Sequence, residues 1–166
     1  KKIISLISTI KLDTIKKYTK NKKVIRVIPL PFINMRKGPI IIFPKDSQIK
    51  KFFSNLGTVI EVNKENLSKG FWSTSSFMAS FYNLLNTTSS WLTSKGVKKN
   101  EAEKYTKELF LALSEDAINK NKTSLKQLVV ESQTPGGTNA YVLKELQKKK
   151  FYKLQIKVLN SIFKKF

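Results

Sequence analysis

The chain has 166 residues, 40 % of them hydrophobic, and carries 32 Lys and Arg against 11 Asp and Glu, a formal net charge of +21. That is enough apolar material for one good core or two small coupled units, and the composition is not that of a disordered chain. It contains neither cysteine nor histidine, which excludes disulfides, thiolate catalysis, Ser-His-Asp chemistry and metal sites built on Cys or His. Any catalysis must use hydroxyls, amides, Lys, carboxylates or a borrowed cofactor, and no metal site is expected.

Only Arg26 and Arg36 are arginine; the remaining basic residues are lysines scattered along every segment. Lysine is a point charge on a flexible stem, poorly suited to bidentate base reading, so the charge reads as a solvated basic surface with no specific nucleic-acid partner. No apolar run approaches the roughly 18–20 residues of a membrane span, and no membrane partner is expected. The opening KKIISLISTIKL has the outline of a signal peptide, but no small-residue cleavage site follows. A strand is the better reading, with a cytoplasmic location.

In chain order, the sequence predicts strand 3–7 (IISLI), a polar helix near 13–19, strand 24–30 (VIRVIPL), a loop over 31–39 and strand 40–43 (IIIF). A helix capped by Asp46 or Ser47 and carrying Ile49, Phe52 and Phe53 follows, and then strand 58–62 (TVIEV). Short, nearly continuous β-branched runs separated by helices are the pattern of parallel strands buried on both faces, here a βαβαβ-type half-domain. The start without Met, directly in a strand, suggests a fragment of a longer parent.

After Val62 the period changes. Apolar residues at helical spacing predict one long helix over 69–94, ended by Gly96, and a second capped by Asn100 with Ala102, Tyr105, Leu109, Ala112, Leu113 and Ala117 on one face. A short helix over 124–132 is capped by Ser124, another spans 140–148, and the last runs from 151 to 166. Phe71, Trp72, Phe77, Phe81, Tyr82 and Trp91 are spread around more than one face of the long helix, which predicts that a partner subunit covers it. Snorkelling aromatics at the surface are the alternative.

The chain has six glycines, and two stand together in 134-TPGGTN-139 just before a helical pattern. Such a loop can aim free N–H groups and the positive end of the helix at a carboxylate or phosphate, with Thr134, Thr138 and Asn139 adding side-chain donors. It can equally be a plain connection in which Thr134 caps and the glycines allow close packing.

The order of α/β end, long helix, capped helix, short helix, Thr-Pro-Gly-Gly loop and final helices resembles the carboxyl-terminal two-thirds of the pyrroline-5-carboxylate reductase family. That family's loop reads approximately Ser-Pro-Gly-Gly-Thr-Thr, followed by a helix and a Leu-Glu-x-x-Gly-Phe turn, here LQKKKF at 146–151. The stretch 24-VIRVIP-29 is similar to its strand entering Met-Pro-Asn-Thr-Pro. Likewise 53-FSNLGTVIEV-62 resembles its Phe-x-x-x-Gly-x-x-x-x-Val segment, and 3-IISLIS-8 its strand ending at the cofactor.

The resemblance implies an α/β part followed by an all-α part. Residues 1–63 would be the carboxyl-terminal part of a Rossmann-type parallel sheet, and residues 64–166 a helical dimerisation and substrate-binding domain. It implies a homodimer and an oxidoreductase of proline-biosynthesis type, in which NADP or NAD delivers hydride to the C=N bond of a small cyclic imino acid. By the same resemblance Thr134, Gly136, Gly137, Thr138 and Asn139 bind substrate, Asn139 and Thr138 are catalytic, and Ser8, Thr9, Pro29 and Leu30 border the cofactor.

This chain departs from the family at Asn139, where Thr is usual, at 75-SSFMA-79 in place of Gly-Ser-Gly-Pro-Ala, and at 30-LPF-32 in place of Asn-Thr-Pro. These imply a divergent member with its own substrate. No G-x-G-x-x-G pyrophosphate turn occurs in the sequence. If the chain is the whole molecule it is expected to be inactive, or a non-catalytic helical dimerisation module; if it is a fragment, the reductase reading applies to its longer parent.

Overall fold

The structure is a computed structural model that describes residues 1–165. The chain forms two compact units, Lys1–Ser75 with Asn160–Phe166, and Ser76–Leu159.

The first unit contains strand β1 (Ile3–Ser5), helix α1 (Leu12–Thr19), β2 (Val24–Ile28), a 3-10 turn (Pro31–Met35), β3 (Pro39–Phe43), α2 (Ser47–Phe53), β4 (Thr58–Glu61) and α3 (Leu67–Ser75). The strands lie in the order β1-β2-β3-β4. β1–β2 and β3–β4 are parallel, as the β-branched runs predict, but β2–β3 is antiparallel, pairing Val27 with Ile42 and Ile28 with Ile41. The sheet is therefore mixed, which corrects the expectation of a wholly parallel one. The reason lies in the connection, since residues 29–38 hold only a 3-10 turn. A parallel crossover needs a dozen or more residues and usually a full helix.

One face of the sheet forms the core. Ile25, Val27, Ile40 and Ile42 pack with Ile49 and Phe53 of α2, with Ile33, Leu56 and Val59 partly buried around them. Asp46 is the cap of α2, its carboxylate accepting the Gln48 and Ile49 N–H groups at 3.1 Å. At Gly57 a Cβ would lie 2.6 Å from the Gly38 carbonyl oxygen. Only glycine lets the chain enter β4 so close to the start of β3.

The predicted long helix over 69–94 is two helices, α3 and α4 (Met78–Ser94), separated at Ser76 and Phe77. Ser73, Thr74 and Ser75 each donate a hydroxyl to the carbonyl four residues back, at 2.8–2.9 Å. Consecutive back-bonding hydroxyls compete with the helical ladder, and the helix breaks directly after them. α4 ends as the sequence predicts: Gly96 has φ +93° and the Val97 N–H reaches the Leu92 carbonyl at 3.2 Å, a Schellman closure.

The chain continues with α5 (Lys99–Asn119), α6 (Leu125–Glu131), α7 (Thr138–Lys148) and α8 (Phe151–Phe163), the second unit ending within α8 at Leu159. Asn100 does not cap α5, because the helix begins one residue before it and Lys98 is the cap, with no side-chain bond. Ser124 caps α6 as expected, accepting the Gln127 N–H at 3.1 Å. The last helix stops at Phe163, with Lys164 and Lys165 in a turn, short of the predicted extension to 166; Phe166 itself lies outside the described residues.

Candidate functional site

The 134–139 loop joins α6 to α7, and its geometry follows from three residues. The Gly137 N–H donates to the Thr134 carbonyl at 2.8 Å, with Pro135 and Gly136 between them and Gly136 at φ +72°. This is a type II β-turn, in which proline pre-sets the first central residue and the second needs positive φ. Gly137 then caps α7, with φ −77° and no side-chain bond. Thr134 is thus the first residue of the turn and does not cap the helix.

The turn redistributes the donors that the resemblance assigns to substrate. The Gly137 N–H is consumed inside the turn, whereas the first-turn N–H groups of Thr138, Asn139 and Ala140 precede the first intrahelical bond, from Tyr141 to Gly137 at 3.1 Å. Three N–H groups without intrahelical partners at the positive end of a helix are an arrangement that can hold an anion. Asn139 has a further task. Its Nδ2 donates to the Ser132 carbonyl at 3.1 Å, tying the end of α6 to the start of α7. One amide hydrogen is thereby engaged, leaving Oδ1 and the second hydrogen.

In the first unit, Ser8 and Thr9 follow β1 and line a cleft of about 410 Å³ with Lys11, Arg26, Glu65, Asn66, Lys69 and Trp72. Leu30 lines a smaller, apolar cleft of about 230 Å³ with Ile28, Pro39, Ile41, Phe71, Trp72, Thr74 and Ser75. Pro29 lies half-buried between Ile28 and Leu30. The expected cofactor-side residues therefore flank two clefts that share Trp72. The larger cleft is lined by two hydroxyls, two ammonium groups, the Arg26–Glu65 pair, an amide and an indole.

Sequence reasoning missed the group that holds this cleft together. Arg26 is 2 % exposed within the sheet. Its Nη1 pairs with Glu65 Oε1 at 2.6 Å, its Nη2 donates to the Ile10 carbonyl, and its guanidinium stands 5.7 Å from the centre of the Trp72 ring. Glu65 Oε1 also accepts the Leu12 N–H at 2.8 Å, capping α1 from 53 residues away. The one available signal was an arginine in the middle of the apolar strand VIRVI, in a chain with two arginines in all.

The helical unit buries the wrong residues for an isolated domain. Among the described residues of 76–159, the buried side chains are Ser89, Ala102 and Thr106, all small, where α4 and α5 pack together. The large ones are outside: Tyr82, Trp91, Tyr105, Leu113 and Ile118 are all more than half exposed. A face of this kind is an interface awaiting cover.

A four-stranded mixed α/β unit is thus followed by a helical unit with an uncovered apolar face. The sequence model of the family described as "Pyrroline-5-carboxylate reductase dimerisation" matches residues 66–166. The chain belongs to the pyrroline-5-carboxylate reductase family.

No curated protein matches the sequence. Among solved structures, the chain is similar to a pyrroline-5-carboxylate reductase from Coxiella burnetii at TM-score 0.84 and 22 % identity, over 98 % of this chain and 63 % of that one. It is similar to Plasmodium falciparum pyrroline carboxylate reductase, solved with NADP bound, at TM-score 0.80 and 18 % identity, over 99 % of this chain and 69 % of that one. A 1-pyrroline-5-carboxylate reductase from Streptococcus pyogenes gives TM-score 0.81 and 15 % identity, over 99 % and 66 %. The chain thus spans less than two-thirds of the Coxiella chain.

Proposed function

We propose that this chain forms the carboxyl-terminal part of an NADP- or NAD-dependent reductase that converts a small cyclic imino acid to the saturated amino acid, in a cytoplasmic homodimer. Residues 1–63 would form the cofactor side, and residues 64–166 the dimerisation and substrate side. The observation that carries the reading is the type II turn at Thr134–Gly137, which starts α7 with three N–H groups free for a carboxylate. The solved relative with NADP bound supports the choice of cofactor class.

A bound nicotinamide would supply the hydride. The chain's own part is placement. The Thr138, Asn139 and Ala140 amides hold the substrate carboxylate, and Gly136 shapes the turn that presents them. The Thr138 hydroxyl and the Asn139 amide handle the imine nitrogen. With one hydrogen engaged on Ser132, Asn139 offers Oδ1 as an acceptor for a protonated imine, where a threonine would offer a hydroxyl. Ser8, Thr9, Pro29 and Leu30 border the nicotinamide, with Trp72 beside them.

Burial supports the homodimer. The chain exposes 13,000 Å², whereas a folded monomer of 19.0 kDa exposes about 8,400 Å² by surface scaling. The match to a dimerisation family model supports assigning part of this excess to a second copy.

The test is NADPH and NADH oxidation by the longer parent protein with 1-pyrroline-5-carboxylate and with other cyclic imino acids. Turnover with any of them, lost in Thr138→Val, supports the reading, and inactivity across the set together with no cofactor binding removes it. The second reading, a non-catalytic dimerisation module, is favoured by the apolar helical face, which needs no nucleotide. A stable dimer in sedimentation with no cofactor binding would establish it.

A further inference from the structure

We propose that Arg26 and Glu65 are a positioning pair whose task is to fix the conformation of the 6–11 segment, and with it Ser8 and Thr9. The geometry is specific. From β2, Arg26 sends one guanidinium nitrogen to Glu65 at 2.6 Å and the other to the carbonyl of Ile10. From the turn before α3, Glu65 receives the Leu12 N–H at 2.8 Å with the same oxygen that meets Arg26. The segment is therefore gripped at Ile10 by the cation and at Leu12 by the anion, while the Ile7 N–H is held by the Ser5 hydroxyl at 3.3 Å.

Little else holds it. Leu6, Ile7 and Ile10 are exposed, so apolar burial does not order the segment, and Leu12 is the first residue beyond it that is buried. The pair is an expensive way to fill a sheet position. Arg26 Nε is buried without a partner, and a buried ion pair is often no better for stability than an apolar replacement of similar size. What an apolar pair cannot do is grip a backbone carbonyl and a backbone N–H two residues apart. The Trp72 ring centre lies 5.7 Å from the guanidinium, within cation–π range.

This assignment rests on the reading of Ser8 and Thr9 as the cofactor edge, but the pair's action on the segment is measurable without cofactor. The experiment is backbone amide hydrogen exchange on the full chain, comparing Arg26→Lys, Glu65→Gln and the apolar double variant Arg26→Met/Glu65→Leu with the unaltered protein. Lysine keeps the charge but cannot reach both partners, and glutamine keeps an acceptor for Leu12. The expected result is exchange about tenfold faster at the bonded amides of the segment, Ile7 and Leu12, in Arg26→Lys and in the double variant, a smaller rise in Glu65→Gln, and unchanged protection in β3 and α2. With Trp91→Phe as background, Trp72 emission should shift in Arg26→Lys.

Uniform acceleration across the unit, collapse of all three variants, or unchanged exchange at Ile7 and Leu12 would each overturn the proposal, the first two by making the pair a general stability element. NADPH titration is read separately. Failure of the longer parent protein to bind it counts against the reductase reading and leaves the exchange result standing.

Discussion

The two glycines of the 134–139 loop make different physical demands, and substitution should separate them. Gly136 sits at φ +72°, and an added Cβ meets nothing within 4 Å. Gly136→Ala therefore carries a backbone cost with no steric one. A left-handed residue with a Cβ costs about 1–2 kcal/mol. Reduced freedom of the unfolded chain returns about 0.4–1 kcal/mol, leaving a net loss of about 1 kcal/mol. Gly137 lies at φ −77° and bears no such strain. Its Cβ would stand 3.0 Å from the Thr134 carbonyl oxygen and 3.2 Å from Thr134 Cβ. The turn must open slightly, weakening one hydrogen bond worth about 0.5–1.5 kcal/mol, against the same unfolded-state gain, so the net is near zero.

Urea unfolding measures both. With a slope of about 1–3 kcal/mol per molar, Gly136→Ala should lower the midpoint by about 0.3–1 M. Gly137→Ala should stay near the unaltered protein, and Gly136→Asn should recover most of the loss because asparagine tolerates the left-handed region. A Gly136→Ala midpoint equal to that of the unaltered chain, with Gly136→Asn no better than alanine, would mean that the type II turn does not form, and the amide site at α7 would go with it.

Other substitutions reach the remaining features. Asn139→Ala removes the 3.1 Å tie to Ser132 at an exposed site, so stability should fall by less than about 1 kcal/mol; turnover, where present, should fall much more. Gly57→Ala drives a Cβ to 2.6 Å from the Gly38 backbone oxygen and should destabilise the sheet unit by about 3 kcal/mol or more in thermal unfolding. Trp91→Glu places a charge on the exposed face of α4 and should shift sedimentation from dimer toward monomer. Asp46 is held below the ordinary carboxylate range by the Lys2 ammonium first and the Ile49 N–H next. Because the folded value is the lower one, its contribution is present above about pH 4 and is lost as pH falls through that depressed value. Acid titration of Asp46→Asn should accordingly show a shallower loss of stability below pH 4.

The sequence was sufficient wherever the physics is local. The β-branched runs gave each strand of the first unit, Asp46 and Ser124 gave the starts of two helices, and Gly96 gave the end of a third, because caps and periodicity act over a few residues. The Pro-Gly-Gly stretch announced a turn before a helix for the same reason. What the sequence did not disclose depends on distant partners. Strand direction at β2–β3 was set by how little chain lies between them, and the helix break at Ser76 by three hydroxyls that periodicity ignores. Asn139 read as a catalytic side chain until its tie to Ser132 placed it in the loop as well. The pairing of Arg26 with Glu65, 39 residues apart, could come only from the folded sheet: a buried charge chooses its counterpart by proximity in space, and sequence separation carries no trace of it.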